Sequence, residues 1–207
     1  MVYIARLGSE GGDTRERILR AAYALFYRKG FSRISMDAVA ERAGVTKRTI
    51  YYHFQSKDEV VAEVLEVQHL HLMREFVSWS GVPGGSPETV IDGLFSKLLD
   101  WAGAPGWLGS GFTRLTTELA DLPGHPARRA AGLHKEAIED WLSARLADCG
   151  ANQPEELARQ VTLLIEGGMS LAFIHGDTDY IRSAAKTAST LAAKTKTAPG
   201  GAASNST

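Results

Sequence analysis

Apolar residues recur along this chain at intervals of three and four, and no stretch alternates apolar with polar at intervals of two. That is the period of helices buried along one face, so the sequence predicts an all-α protein without strands or internal repeats. Ile18, Ala22, Leu25 and Phe26 predict a first helix over Thr14–Lys29, with Arg15, Arg17 and Arg20 on its outer face, read mainly as a solvated surface. Arg28 and Lys29 suit the negative end of its dipole, and Gly30 stops it, with Phe31 folding back. Met36, Val39, Ala40 and Ala43 mark a short second helix ending at Gly44, and Ile50 and Phe54 give a third its inward face. A long fourth helix follows over Lys57–Trp79, about 35 Å at 1.5 Å per residue, with Val60, Val61, Val64, Leu65, Gln68, Leu72, Phe76 and Trp79 in register.

The breaker cluster 81–86 is a loop, and Ser86 with Pro87 restarts a helix that runs to about Ala102. The second glycine-rich segment, 103–111, matches neither a dinucleotide fingerprint nor a nucleophile elbow, and reads as a loop with Trp107 packed inward. A short helix over 112–122 and a longer one over 126–148 come next, the latter with Leu133, Ala137, Ile138, Trp141, Leu142 and Leu146 inward. The helix opened at 152–156 is apolar on nearly every side, so both of its faces must be covered. The last helix, reaching about Lys194, carries a stripe of Ile181, Ala184, Ala185, Ala188, Leu191 and Ala192. Pairing of these last two helices with their copies predicts a homodimer through a four-helix bundle.

The stretch 35–58 carries the clearest chemistry. Gly44 supplies the left-handed residue at which a helix stops, and Thr46 is placed to cap the next helix through its hydroxyl. With Ile50 and Phe54 turned inward, Lys47, Arg48, Thr49, Tyr52 and His53 face out, with Tyr51 at the edge. A helix-turn-helix sets such a second helix in the major groove, where these residue types reach base edges, phosphates or a thymine methyl. Ser56 and Glu59 form a capping box that opens the fourth helix, whose positive end together with Lys57 makes a second phosphate grip.

These residues resemble the TetR-type transcriptional regulators. The resemblance covers Thr14 to Glu59 and is densest in MDAVAERAGVTKRTIYYHFQSKDE. It implies DNA contacts from Lys47, Thr49, Tyr51, Tyr52, His53 and Lys57, and a C-terminal half that senses a small molecule. Arg48 stands where many relatives carry a small residue or Pro and joins the list on its own chemistry.

Charge sharpens this division. Residues 1–58 hold 11 Lys or Arg against 6 acids, a balance of +5, while the remainder holds 12 against 18, a balance of −6. A basic module on an acidic body suits a reader of polyanions. The expected organisation is a flexible arm over 1–12, a three-helix DNA-binding domain over 13–58, a ligand-binding and dimerisation domain over 59–195, and a disordered tail over 196–207. The single cysteine, Cys149, allows no intrachain disulfide. No secretory leader is expected from the residues at the start of the sequence, and the apolar stretch 161–174, interrupted by Glu166, falls short of the ~20 residues of a membrane span. A cytoplasmic protein without membrane contact is expected.

No metal-spaced His or Cys pair and no catalytic motif occurs, so neither a cofactor nor an enzymatic activity is expected. His69 and His71 point to different sides of a helix and read as solvated, and His125 as a loop residue. A largely apolar effector would lie against Trp107, Phe112, Leu115, Thr116 and Trp141, with His134, Glu166 or His175 as polar partners; the competing reading of each aromatic is plain core. The function expected is a repressor released from a palindromic operator when a small molecule binds. The alternative is a DNA-binding dimer with no small-molecule effector.

Overall fold

A computed structural model describes residues 13–80 and 85–195. The expected arm (1–12) and tail (196–207) lie outside the described residues, as do positions 81–84 of the first loop. The described residues are α-helical with no strand, in the order α1 (Thr14–Lys29), α2 (Met36–Ala43), α3 (Lys47–His53), α4 (Lys57–Trp79), α5 (Pro87–Ala102), α6 (Gly111–Glu118), α7 (Pro126–Asp148), α8 (Pro154–His175) and α9 (Asp179–Lys194). The helix starts follow local chemistry. Ser35, Thr46, Ser86 and Ser110 each accept a hydrogen bond from the backbone N–H three residues on, which satisfies a donor the helix itself cannot.

The described residues divide into two compact units, one within 13–74 and 104–135, the other within 75–80, 85–103 and 136–195. This division does not follow the expected boundary at 58/59, because α6 and the beginning of α7 group with the N-terminal helices. The core of the first unit joins Ile18, Ala22 and Phe26 of α1, Val39 of α2, Ile50 of α3, Phe54, Val60, Val61 and Val64 to Phe112, Leu115 and Leu119. Short α2 and α3 bury too little surface to stand alone, so their stability comes from this shared core.

In the second unit α9 packs against α8 and α5. Ile181, Ala184, Ala188 and Ala192 are the buried face of α9, and Leu157, Val161, Ile165, Gly168, Met169 and Ala172 that of α8. This corrects the expected use of the small-residue stripe, since α9 spends it within its own unit. Leu133 of α7 is also not inward but 56% exposed. At 22 residues α8 is longer than the apolar stretch read from the sequence and is long and apolar enough to cross a membrane by length and composition only, which does not by itself indicate a membrane protein. Its apolar character has a packing reason on the inner face, and its outer face shows Leu163, Leu171, Phe173 and Ile174.

Candidate nucleic-acid interface

α3 is held from beneath by two side chains, Ile50 and Phe54, both almost fully buried. The turn before it is set by Gly44, whose φ of 64° lies in the left-handed region; its N–H bonds back to the Glu41 carbonyl. Arg17 of α1 reaches across and donates to the carbonyls of Ala43 (2.7 Å) and Gly44 (3.2 Å). Arg15 pairs with Glu63 at 2.8 Å and lies 5.2 Å over the Phe54 ring. These arginines sit at the surface yet act as braces. Spacing alone could not show it, because their partners lie 26 to 48 residues away.

On this seat the predicted DNA-reading face turns outward. Lys47, Arg48, Tyr51 and Tyr52 are exposed, Tyr52 to 85%, while Thr49 and His53 are half-buried. The Thr46 hydroxyl accepts from the Thr49 N–H at 3.1 Å and is paired with the Thr49 hydroxyl at 2.8 Å. His53 meets Tyr52 edge-on, with ring centroids 5.2 Å apart. Lys47 forms an ion pair with Asp37 of α2 at 2.9 Å, and hydrogen bonding to that carboxylate raises the pKa of the ammonium. Asp37 therefore orients the first cation of α3, a role the sequence reading did not assign.

Lys57 is placed differently from its neighbours. Its ammonium donates to the Phe31 carbonyl at 2.8 Å and lies 4.1 Å from the centre of the Phe31 ring. Burial lowers its pKa, against the opposing pull of Asp58 and Glu118. It thus ties the start of α4 to the α1–α2 turn. The α4 cap is present: Ser56 accepts from the Glu59 N–H at 3.1 Å, and the Glu59 carboxylate accepts from the N–H of Gln55, one residue earlier than in a standard capping box.

The predicted effector residues do not gather in one unit. Trp107, Phe112, Leu115, Thr116 and His134 belong to the first, whereas Trp141, Glu166 and His175 belong to the second. Phe112 and Leu115 are core. His134 is 2% exposed and stacked on Phe112 with centroids 3.8 Å apart, and its Nδ1 lies 2.9 Å from His69 Nδ1. Burial first, then the charges of Lys135 and His69, pushes its pKa down to about 3. His69 is therefore not a solvated residue but half of a histidine pair. His125 is likewise more than a loop residue: it is buried, its Nδ1 accepts from the Ala127 N–H at 3.1 Å, and its Nε2 is 3.3 Å from Asp58. Trp107, Thr116, Trp141 and Glu166 are half-buried, and His175 is exposed and stacked on Tyr180. Among the described residues no cluster of three or more metal-ligating side chains occurs.

Residues 18–64 match the family model described as "Bacterial regulatory proteins, tetR family". The chain is 35% identical over 100 residues to the transcriptional regulator TtgR of Pseudomonas putida, a match covering 46% of this chain and 48% of that regulator. The match thus spans about half the length of that relative. A protein of Streptomyces avermitilis whose crystal structure is described as that of a TetR transcriptional regulator is 32% identical. It superposes with a TM-score of 0.75 over 88% of this chain and 99% of its own. A TetR-family regulator of Streptomyces coelicolor, 22% identical, shares the fold with a TM-score of 0.79 over 89% and 96% of the two chains.

Proposed function

The chain belongs to the TetR family of transcriptional regulators, and from that premise we propose that it is a homodimeric repressor that reads a palindromic operator through α3 and lets go when a small molecule binds. The observation that carries the reading is the split character of α3, with Ile50 buried and Lys47, Arg48, Tyr51 and Tyr52 exposed. Lys47, Arg48 and Thr49 occupy the N-terminal turn that a groove-docked helix aims at base edges. Tyr51, Tyr52 and His53 follow toward its C-terminal end, where ring hydroxyls and nitrogens bond phosphate oxygens. In this reading Lys57 serves the interface chiefly by fixing the α1–α2 turn, and reaches a phosphate only if it leaves the Phe31 carbonyl.

Two copies would meet through the last two helices with α8 supplying the apolar face, since the small-residue stripe of α9 is already buried within its own unit. The exposed residues Leu163, Gly167, Ser170, Leu171 and Ile174 repeat along one side of α8 at helical spacing, a stripe of apolar and small residues suited to its own copy across a two-fold axis. The two α3 helices would then enter successive major grooves about 34–36 Å apart. The effector is an apolar small molecule; within the first unit half-buried Trp107 and Thr116 are its candidate contacts, with Phe112, Leu115 and His134 supporting from the core. It needs to favour the released conformation by only ~1–3 kcal/mol per coupling. Such a regulator acts in the cytoplasm, where its DNA is, and performs no catalysis.

The test is selection of bound duplexes from a random DNA library by the full chain, followed by footprinting. A palindrome with half-sites one helical turn apart is expected. Absence of any duplex binding at low ionic strength would remove the reading.

A further inference from the structure

Outside the α3 face, the first unit carries a second concentration of positive charge. Arg28 and Lys29 at the end of α1, Arg33 in the α1–α2 turn and Arg114 of α6 line one open cavity of about 580 Å³, together with Gly30 and a single carboxylate, Glu118. Arg28, Lys29 and Arg33 are exposed. Four cations against one carboxylate leave an excess of positive charge facing the same space.

The turn also shows what chemistry it accepts. Gly30, at φ 85°, bends the chain so that the successive N–H groups of Phe31 and Ser32 converge on Glu118, at 2.9 and 2.7 Å from its two oxygens. A Cβ on Gly30 would come within 3.1 Å of those same oxygens, so the glycine leaves the room the carboxylate needs. Convergent backbone donors of this kind form an anion nest. Although burial opposes it, bonding to Ser32 and Phe31 holds the Glu118 carboxyl below its usual range, so it is ionised when docked. Arg114 is oriented on the other wall by donating to the Tyr27 carbonyl at 2.7 Å.

We infer that this cavity is a binding site for a small molecule bearing a phosphate or pyrophosphate group, held by Lys29, Arg28, Arg33 and Arg114 beside the resident carboxylate. Guanidinium groups match phosphate oxygens through paired N–H donors. A volume of about 580 Å³ exceeds what a bare ion fills and leaves space for an organic remainder. Concavity favours a small anion over a duplex. The occupant would bridge the α1–α2 turn and α6. This inference does not depend on the operator-reading role of α3.

The experiment is calorimetric titration of the full chain, without DNA, with sodium pyrophosphate at low ionic strength. Saturable binding, one per chain, is expected, with affinity falling at least about tenfold in the Lys29→Ala/Arg33→Ala variant. Both replaced side chains are exposed, and an unchanged thermal melt without ligand would show the fold intact. Glu118→Gln, which removes the competing charge and keeps one of the two acceptors for the Phe31 and Ser32 N–H groups, is expected to bind more tightly if its thermal melt is also unchanged. Equal affinity in the double variant overturns the inference, as does the same heat from sodium chloride of matched ionic strength. Absence of pyrophosphate binding also overturns it, and loss of duplex affinity in the double variant would then assign these cations to the DNA footprint.

Discussion

α3 and α8 each turn one face outward, and the two faces are opposite in chemistry. α3 shows Lys47, Arg48, Tyr51 and Tyr52; α8 shows Leu163, Leu171, Phe173 and Ile174, with Leu163 69% and Ile174 67% exposed. The inner faces are alike, each a set of apolar residues in a helical core. Burial therefore explains half of each helix, and the exposed half reports the partner. Cations and phenols suit a polyanion that stays hydrated, whereas a long apolar stripe is stable in water only when another apolar surface covers it.

The strongest way to break this contrast is to attack the seat of α3. Phe54→Ala removes a nearly fully buried ring, and about 3–5 kcal/mol of stability should go with it, read by chemical denaturation. A loss below about 1 kcal/mol would mean that α3 is held by something else. Next in size, Leu163→Glu with Ile174→Glu should convert the dimer to a monomer in sedimentation, with dissociation raised roughly a hundredfold or more. The fold should survive, because both positions are exposed. Ala188→Glu is a different experiment: Ala188 is 0% exposed inside its unit, so that change should lower the melting temperature rather than only split the dimer. An intact dimer in the double glutamate variant would move the interface off α8.

On the polar face, Lys47→Ala and Thr49→Ala should each relax preference at one base position by about tenfold while leaving the melting curve unchanged. Asp37→Ala releases the Lys47 ammonium and should strengthen duplex binding without changing which sequence is preferred. Unaltered specificity in the first two variants would take them off the base-reading list.

The smallest expected effect concerns the buried histidine pair. The pKa of His134 is depressed to about 3, against an unfolded value near 6.5, so the unfolded chain binds more protons between these values. Stability should be unaffected above pH 6.5 and fall as pH drops below it, by about 1.4 kcal/mol at pH 5.5 for this one group. His134→Gln should flatten that slope; an identical pH dependence in the variant would show that His134 carries none of it.

Much of this was legible beforehand. The bounds of α1, α4 and α7 follow from apolar periodicity, and the start of α3 from Thr46, because helix period and capping are local properties of a few consecutive residues. The outward face of α3 was equally readable, since burying Ile50 and Phe54 leaves the intervening residues nowhere else to point. Arg17, Lys57, Glu118, His69 and His125 were not readable. Each is a polar side chain that looks like surface in sequence, yet each finds a partner far along the chain or in the fold around it.

By itself, then, the order of residues determined the all-α class, the positions of the helices and the chemistry that α3 offers to its surroundings. Only the tertiary structure decided which stripe of α8 and α9 is used inside the chain and which is left outside. It alone decided that α6 joins the N-terminal unit, and that four separated cations line one cavity with Glu118. The physical reason is range: backbone period acts over one or two turns, whereas pairing and burial depend on which distant segments the folded core brings together.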